Sequence, residues 1–212
     1  MQPRLVICLD FDGTIIDSAA AKLRAFERMF SFLKGQDFIL VKDILVNNQG
    51  VPREKKFLKI YHEILQEDIS KDMLDHLSDQ LDILIRMEEG EVEVLGGLDK
   101  FLNQHSEEVD FYIASAAPKK EIMTKLKSLG LQNLFKGISG SERPKSDSIA
   151  AFVKQSKCKL SQAYMIGDTL NDYVAANDAG VQFIGFGSEV EFVNKNLRII
   201  KEYKELNYLL ER

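Results

Sequence analysis

The chain has 212 residues, of which 45% are apolar and 29% charged, and this composition is that of a globular protein with one large domain or a core carrying an insertion. Its net charge of −5 argues against nucleic acid as a partner, because surfaces that follow a phosphate backbone are basic. The N-terminal "MQPRLVICLD" turns acidic too early for a secretory signal and no apolar run is long enough for a membrane span, so we expect a cytoplasmic protein with no membrane partner.

The first predicted element is a strand over residues 4–10, "RLVICLD", which runs into two aspartates. A short continuous apolar run is typical of a central parallel strand that is covered on both faces. Asp10 and Asp12 lie two positions apart and can lean to the same side, and Gly13 permits a tight exit from the strand. Carboxylates held this close repel each other and resist ionising together. Because this pairing does not favour stability, it indicates a role in function. The alternative is an ordinary turn at Asp12 and Gly13 with a helix cap behind it.

The next part of the chain shows no comparable strand from residue 18 to about residue 91, and we predict an all-helical insertion over residues 18–94. Apolar residues at helical spacing mark three stretches, over residues 19–33, 52–65 and 70–87. Ser70 and Asp72 are the expected caps of the last helix, and Gly90 is its expected end.

A basic cluster lies within the insertion, formed by Arg53, Lys55, Lys56 and Lys59. One hypothesis is that Arg53 or Lys56 contacts an anionic or hydroxyl-rich part of a substrate. The other is a solvated helix face, balanced by acidic residues on neighbouring turns.

The remainder of the chain alternates strand-like and helical segments. The strands are predicted over residues 110–116, 134–140, 163–168 and 181–187. The helices are predicted over residues 98–107, 119–129, 147–157 and 170–179. This alternation is the signature of a doubly wound parallel sheet. We therefore predict an α/β core made of residues 1–17 and 95–212, with a helical domain over residues 18–94. Ligands of such sheets bind beyond the carboxyl ends of the strands.

Two of these later strand ends carry candidate anion-binding groups. Ser115 offers a hydroxyl beside small residues, with Pro118 suited to the first turn of the following helix, whose N-terminus would attract an anion. Lys145 comes just before a helix that Ser146 or Asp147 could cap. The alternatives are a serine cap with nothing bound and a solvated surface lysine.

Another strand end, "MIGDTLND", supplies two more acids. Asp168 follows the strand directly, and Asp172 falls in the first turn of the next helix, where the helix dipole alone would favour it. If the strands are neighbours, Asp168 lies beside Asp10 and Asp12. Three or four carboxylates at one point need a cation, and oxygen ligands without histidine or cysteine indicate Mg²⁺ and not zinc.

Together these motifs resemble the haloacid dehalogenase superfamily, whose members are mostly phosphatases. D-x-D-G-T from Asp10, Ser115, Lys145 and G-D-x3-D from Gly167 occur in the family's order. The helical insertion after the first motif resembles the cap of the phosphoglycolate phosphatase and β-phosphoglucomutase-like subgroup. The resemblance implies a Rossmann-like core and a Mg²⁺-dependent phosphatase that acts on a small phosphate ester through an aspartyl-phosphate.

The resemblance also implies a role for each motif residue. Asp10 is the expected nucleophile, and Asp12 the expected general acid and then base. The Asp10 and Asp168 carboxylates and the Asp12 backbone carbonyl would hold Mg²⁺, with Asp172 acting on these ligands from behind or through water. The groups expected to grip the phosphoryl oxygens are Ser115, the Ala116 amide and Lys145. One departure is Ser146, where many relatives have proline after the lysine.

Three functions are compatible with these motifs. The first is the phosphatase. A dehalogenase expels a halide, which needs no proton, whereas a phosphatase expels an alkoxide, and Asp12 would supply the proton that the alkoxide needs. The second is a phosphosugar mutase that uses the same aspartyl-phosphate. The third is a non-catalytic phosphate-binding protein, which should have lost an essential residue, whereas all are present. The insertion is expected to close over the site. The substrate, and whether the protein is a monomer or a homodimer, stay open.

Overall fold

A computed structural model describes residues 5–88, 90, 93–187, 192 and 196–210. The chain divides into two compact units. One unit, here called the core unit, comprises Met1–Asp17 and Glu93–Arg212, and the other, called the insertion, comprises Ser18–Val92.

The core unit is built on a parallel sheet of six strands among the described residues, in the order β3-β2-β1-β4-β5-β6. The strands are β1 (Leu5–Leu9), β2 (Val109–Ala114), β3 (Gly137–Ser139), β4 (Ala163–Gly167), β5 (Gln182–Phe186) and β6 (Ile199–Ile200). Every residue of β1, β2 and β4 is buried, as expected for strands covered on both faces. The predicted α/β parallel sheet is therefore confirmed.

The insertion is helical throughout its regular elements. Its helices are α1 (Ala19–Met29), α2 (Gly35–Asn47), α3 (Arg53–Ile60) and α4 (Lys71–Glu88), with a π-helical turn, Tyr61–Leu65, directly after α3. Their shared core contains Phe26, Phe30, Phe57 and Leu81. The Ser70 hydroxyl accepts the Met73 amide at 3.2 Å and so caps α4 as predicted, whereas Asp72, the other expected cap, lies inside the first turn.

Helices of the core unit cover both faces of the sheet. They are α5 (Leu98–His105), α6 (Lys119–Ser128), α7 (Lys145–Gln155) and α8 (Leu170–Ala179). On one face, Cys8 and Met165 pack with Ile149 of α7 and Ala176 of α8. On the opposite face, to which the alternate strand residues point, Phe111 of β2 contacts Phe101 of α5, with ring centroids 5.9 Å apart. This two-sided covering is the doubly wound arrangement that the sequence predicts.

Several described elements differ from the sequence-based prediction. Helix α2 was not predicted, because only Val41, Ile44 and Leu45 are buried in it and exposed apolar residues obscure that periodicity. Helix α7 begins at Lys145 with Pro144 as its N-cap, so Ser146 and Asp147 lie inside the first turn and do not cap it. The two-residue strand β6 and the 3₁₀ helix Tyr203–Leu209 were also missed, since both are too short to show a period.

In the described part of the chain, no helix has both the length and the apolar character needed to cross a bilayer.

Candidate active site

The carboxyl ends of β1 and β4 bring together acids that are far apart in the sequence. The two strands pair in parallel with Leu9 opposite Ile166, and the Asp10 amide donates to the Ile166 carbonyl at 2.9 Å. Asp168 follows β4, and Asp172 lies in the first turn of α8. Asp10, Asp168 and Asp172 each place one carboxylate oxygen within 4.8 Å of the others.

Two glycines make this crowding sterically possible. At Gly13, whose φ is +75°, a Cβ atom would overlap the Asp168 carboxylate. At Gly167, a Cβ atom would overlap the Asp172 side chain. The glycine of each motif is therefore required because a carboxylate lies directly against its backbone.

Lys145 lies between two of the acids. Its Nζ is 3.1 Å from Asp10 Oδ2 and also forms an ion pair with Asp172 Oδ1. The other Asp172 oxygen accepts hydrogen bonds from the Thr169 amide at 3.1 Å and the Thr169 hydroxyl at 2.7 Å. Because both Asp172 oxygens have donors, Asp172 orients Lys145 and is itself oriented by the start of α8.

Ser115 lies at the end of β2 beside Asp10. It is buried, its amide donates to the Ser139 carbonyl at 3.1 Å, and its hydroxyl oxygen accepts the Ala117 amide at 3.2 Å. The Ser115 side chain also forms a hydrogen bond with Asp10. Ala116, the next residue, is half-buried. The second motif therefore reaches the same point as the first and the last.

The pKa values of Asp10, Asp168 and Lys145 reflect this crowding. Burial, and then the Asp172 charge, raise the pKa of Asp10 to about 6, although Lys145 and the Ser115 hydrogen bond oppose the shift. Burial and then Asp10 raise the pKa of Asp168 to about 8. Burial alone would lower the pKa of Lys145, but the charges of Asp10 and Asp172 outweigh it and raise that pKa above its ordinary value. Negative charge is thus in excess at this site.

Two further predicted site residues, Asp12 and Arg53, have different surroundings. Asp12 is half-buried and its charge contributes to the raised pKa of Asp10, but its carboxylate is not among the three clustered in the described residues. Arg53 begins α3 in the insertion and is buried. Its guanidinium forms an ion pair with Asp82 and donates to the Ser78 carbonyl at 3.4 Å. It is therefore no part of a solvated helix face, and its predicted substrate contact stays a prediction.

The ligand set of the cluster suits a hard divalent cation. Every candidate donor is a carboxylate oxygen, and the cluster contains no histidine or cysteine. Lys145 offsets only part of the charge of three clustered acids. Such a set fits Mg²⁺, which prefers oxygen ligands.

The order of these motifs in the sequence can be compared with that in known protein families. The model of the haloacid dehalogenase-like hydrolases matches residues 7–186, which include all four motif regions. The chain belongs to the haloacid dehalogenase-like hydrolase family. The family predicted from the motifs is therefore confirmed.

Solved structures with the same fold cover nearly the whole of this hydrolase. A hydrolase from Pseudomonas syringae is 18% identical, with a TM-score of 0.76 and 98% of each chain covered. A β-phosphoglucomutase from Clostridium difficile is 16% identical, with a TM-score of 0.75, 98% of this chain and 96% of that chain covered. A predicted phosphoglycolate phosphatase from Haemophilus somnus is 13% identical, with a TM-score of 0.73 and 99% of each chain covered. At these identities the similarity establishes the fold alone. A search of curated protein sequences returns no significant relative.

Sequence reasoning missed three residues at the site of this haloacid dehalogenase-like hydrolase. Thr169 forms a capping box with Asp172, and the T-x-x-D spacing was a usable signal for it. Thr14 donates from its hydroxyl to Asp168 Oδ1 at 3.2 Å. Tyr203 donates from its hydroxyl to the Thr14 carbonyl, and no local motif marks a tyrosine 189 residues away.

Proposed function

We propose that this protein is a Mg²⁺-dependent phosphatase that hydrolyses a small phosphorylated metabolite through an aspartyl-phosphate on Asp10. One observation carries the proposal: Asp10 lies at a buried strand end with Lys145 3.1 Å from its carboxylate and two further carboxylates within 4.8 Å. The membership of the chain in a hydrolase family supports it. Cytoplasmic location and a phosphate ester partner belong to the same proposal.

Two residues perform the covalent steps. An Asp10 oxygen attacks phosphorus as the bond to the ester oxygen breaks, and Asp12 gives its proton to that oxygen, so that an alcohol leaves. The ionised Asp12 then takes a proton from a water molecule, whose oxygen attacks the aspartyl-phosphate. The bond from phosphorus to Asp10 breaks, inorganic phosphate leaves, and both aspartates return to their starting forms.

The other site residues bind and orient. The Asp10 and Asp168 carboxylates and the Asp12 carbonyl would hold Mg²⁺, and Asp172, whose oxygens already accept hydrogen bonds, would act through water. When bound, Mg²⁺ supplies positive charge that neutralises the phosphoryl oxygens. Lys145, the Ser115 hydroxyl and the Ala116 amide would contact those oxygens.

The insertion is proposed to act as a cap that selects the substrate and limits the access of water. A sugar phosphate or a phosphoglycolate-like ester is a reasonable substrate class, because two proteins of the same fold are described as a β-phosphoglucomutase and a predicted phosphoglycolate phosphatase. A phosphosugar mutase stays the alternative, since the same aspartyl-phosphate could pass its phosphoryl group to a second hydroxyl.

The test is phosphate release from a panel of phosphorylated metabolites with Mg²⁺. We expect release from one compound or a few, abolished by chelator and by Asp10→Asn. The control is Asp178→Asn, which makes the same chemical change at an exposed position of α8 and should retain activity. Isomerised sugar phosphate without free phosphate would establish the mutase instead. Hydrolysis that survives in folded Asp10→Asn would overturn the mechanism.

A further inference from the structure

The C-terminal part of the core unit contacts the loop after Asp10 through a buried hydroxyl. Tyr203 is the first residue of the 3₁₀ helix Tyr203–Leu209 and is 0% exposed. Its hydroxyl donates to the Thr14 backbone carbonyl at 2.9 Å. Thr14 itself is buried in the D-x-D-G-T motif.

The Tyr203 ring is fixed by its surroundings. It stacks on Phe186 at the end of β5, with ring centroids 5.0 Å apart and planes inclined by 24°. Phe101 of α5 lies on the ring as well, with a centroid distance of 6.1 Å. The Glu205 carboxylate accepts the amides of Lys201 and Glu202 at 2.8 and 2.9 Å, which fastens the start of the helix. The hydroxyl therefore has little freedom to move.

Thr14 connects that hydroxyl to the acidic cluster. Its side-chain hydroxyl donates to Asp168 Oδ1 at 3.2 Å, so one residue accepts from Tyr203 through its backbone carbonyl and holds Asp168 through its side chain. On either side of Thr14, the Gly13 amide donates to the Ile16 carbonyl at 2.8 Å and the Ile15 amide to the Phe11 carbonyl at 2.9 Å. These two hydrogen bonds hold the backbone on both sides of Thr14, so its carbonyl and its side chain lie in one compact loop.

Packing alone does not explain the hydroxyl. Phenylalanine would fill the same space between Phe186 and Phe101, whereas a buried hydroxyl costs free energy unless it has a partner. Burial, followed by the charges of Asp168 and Asp10, raises the pKa of Tyr203 well above its ordinary value, so the group remains a hydrogen-bond donor at every physiological pH.

We infer that Tyr203 is a positioning residue for the metal site: through the Thr14 carbonyl it fixes the D-x-D-G-T loop so that the Thr14 hydroxyl holds Asp168 in place for the cation. The inference rests on the proposed function, because it concerns the same Mg²⁺ site. Partners that orient ligand carboxylates typically change metal affinity by about 10- to 100-fold when they are lost.

The test compares two substitutions that each remove one buried tyrosine hydroxyl. Tyr203→Phe removes the contact with Thr14, and Tyr112→Phe removes a 2.7 Å hydrogen bond to Ser156 on the α7 side of the sheet. Titration calorimetry with Mg²⁺ alone gives the Kd of the folded proteins, and thermal unfolding gives their stability. We expect Tyr203→Phe to raise the Kd for Mg²⁺ about tenfold, whereas Tyr112→Phe leaves it within about twofold of the wild type.

Two results would overturn the inference, and they are distinguishable. A Tyr203→Phe protein that loses stability like Tyr112→Phe but binds Mg²⁺ as tightly as the wild type would make Tyr203 a purely structural residue, and the proposed function would stand. A wild-type protein that binds no Mg²⁺ would overturn both the inference and the proposed metal site.

A double-mutant cycle tests the path through Thr14. Thr14→Val removes the hydroxyl that contacts Asp168 but keeps the branched side chain. If Tyr203 acts through that hydroxyl, Tyr203→Phe should change the Kd for Mg²⁺ by less than about twofold in the Thr14→Val background. An undiminished tenfold effect in that background would show that the contact with Thr14 does not act through Asp168.

Discussion

Asp10 and Asp168 are held in the fold at a cost that depends on pH. Burial and neighbouring acids raise their pKa values from an ordinary 3.8 to about 6 and about 8. A carboxyl group whose pKa is raised by folding stabilises the native state while it is protonated. That contribution is fully present below about pH 4 and is lost as the pH rises through the folded-state value. Without a cation, these two residues therefore weaken the fold as the pH rises.

We predict that this effect appears in the metal-free protein between pH 5 and pH 8.5. In the presence of chelator, the free energy of unfolding of the wild type should fall over that range relative to Asp168→Asn, which lacks one of the two carboxyls. Saturating Mg²⁺ should raise the melting temperature more at pH 8.5 than at pH 5, because the cation needs ionised ligands. Urea denaturation and thermal unfolding at both pH values measure these differences. A gap between wild type and Asp168→Asn that does not change with pH would contradict the prediction.

At the scale of elements, the turn that follows β1 depends on one glycine. Gly13 has a φ of +75°, and a side chain there would overlap the Asp168 carboxylate. Gly130, after α6, has a similar φ of +71°, but a Cβ atom added there would have no neighbouring atom within 4 Å, so this position isolates the cost of backbone strain.

Alanine at each position separates strain from overlap. We expect Gly130→Ala to cost about 1 kcal/mol of stability, which is the usual penalty of a left-handed conformation, and to leave Mg²⁺ binding intact. Gly13→Ala should show a similar strain and in addition lose at least about tenfold in Mg²⁺ affinity, because Asp168 must move. Chemical denaturation and calorimetry provide the two values. Equal Mg²⁺ affinity in both variants would show that Asp168 tolerates the extra atom.

These elements also show what the sequence could predict. β1 and β4 are apolar runs that end in acid, and their buried, parallel pairing follows from that pattern together with the alternation of strand and helix. The grouping of Asp10, Asp168, Asp172 and Lys145 could be predicted because each directly follows a strand or lies in the first turn of a helix. Tyr203 could not be found, because its contact with Thr14 joins residues 189 positions apart and the short strand and 3₁₀ helix near it have no measurable period. Helix α2 was hidden because much of its apolar surface is exposed, among it Ile39, Leu40 and Val46.

For the molecule as a whole, the two units carry different parts of the proposed function. The acidic cluster and Lys145 belong to the core unit, and the basic residues from Arg53 to Lys59 belong to the insertion. Arg53 already has a structural task, since its buried guanidinium pairs with Asp82 of α4. A contact with the substrate would be a second role. The two roles can be tested separately, because Asp82 would take part in the ion pair alone.

We predict that Arg53→Ala and Asp82→Ala each lower the free energy of unfolding by about 1–3 kcal/mol, because each breaks the same partly buried ion pair. If Arg53 also contacts the substrate, Arg53→Ala should in addition raise KM for the best substrate about tenfold, which corresponds to about 1.4 kcal/mol of binding free energy. Asp82→Ala should leave KM unchanged. Steady-state kinetics at a temperature where both variants are folded decides between the roles. The same KM in both variants would restrict Arg53 to holding the helices of the insertion together.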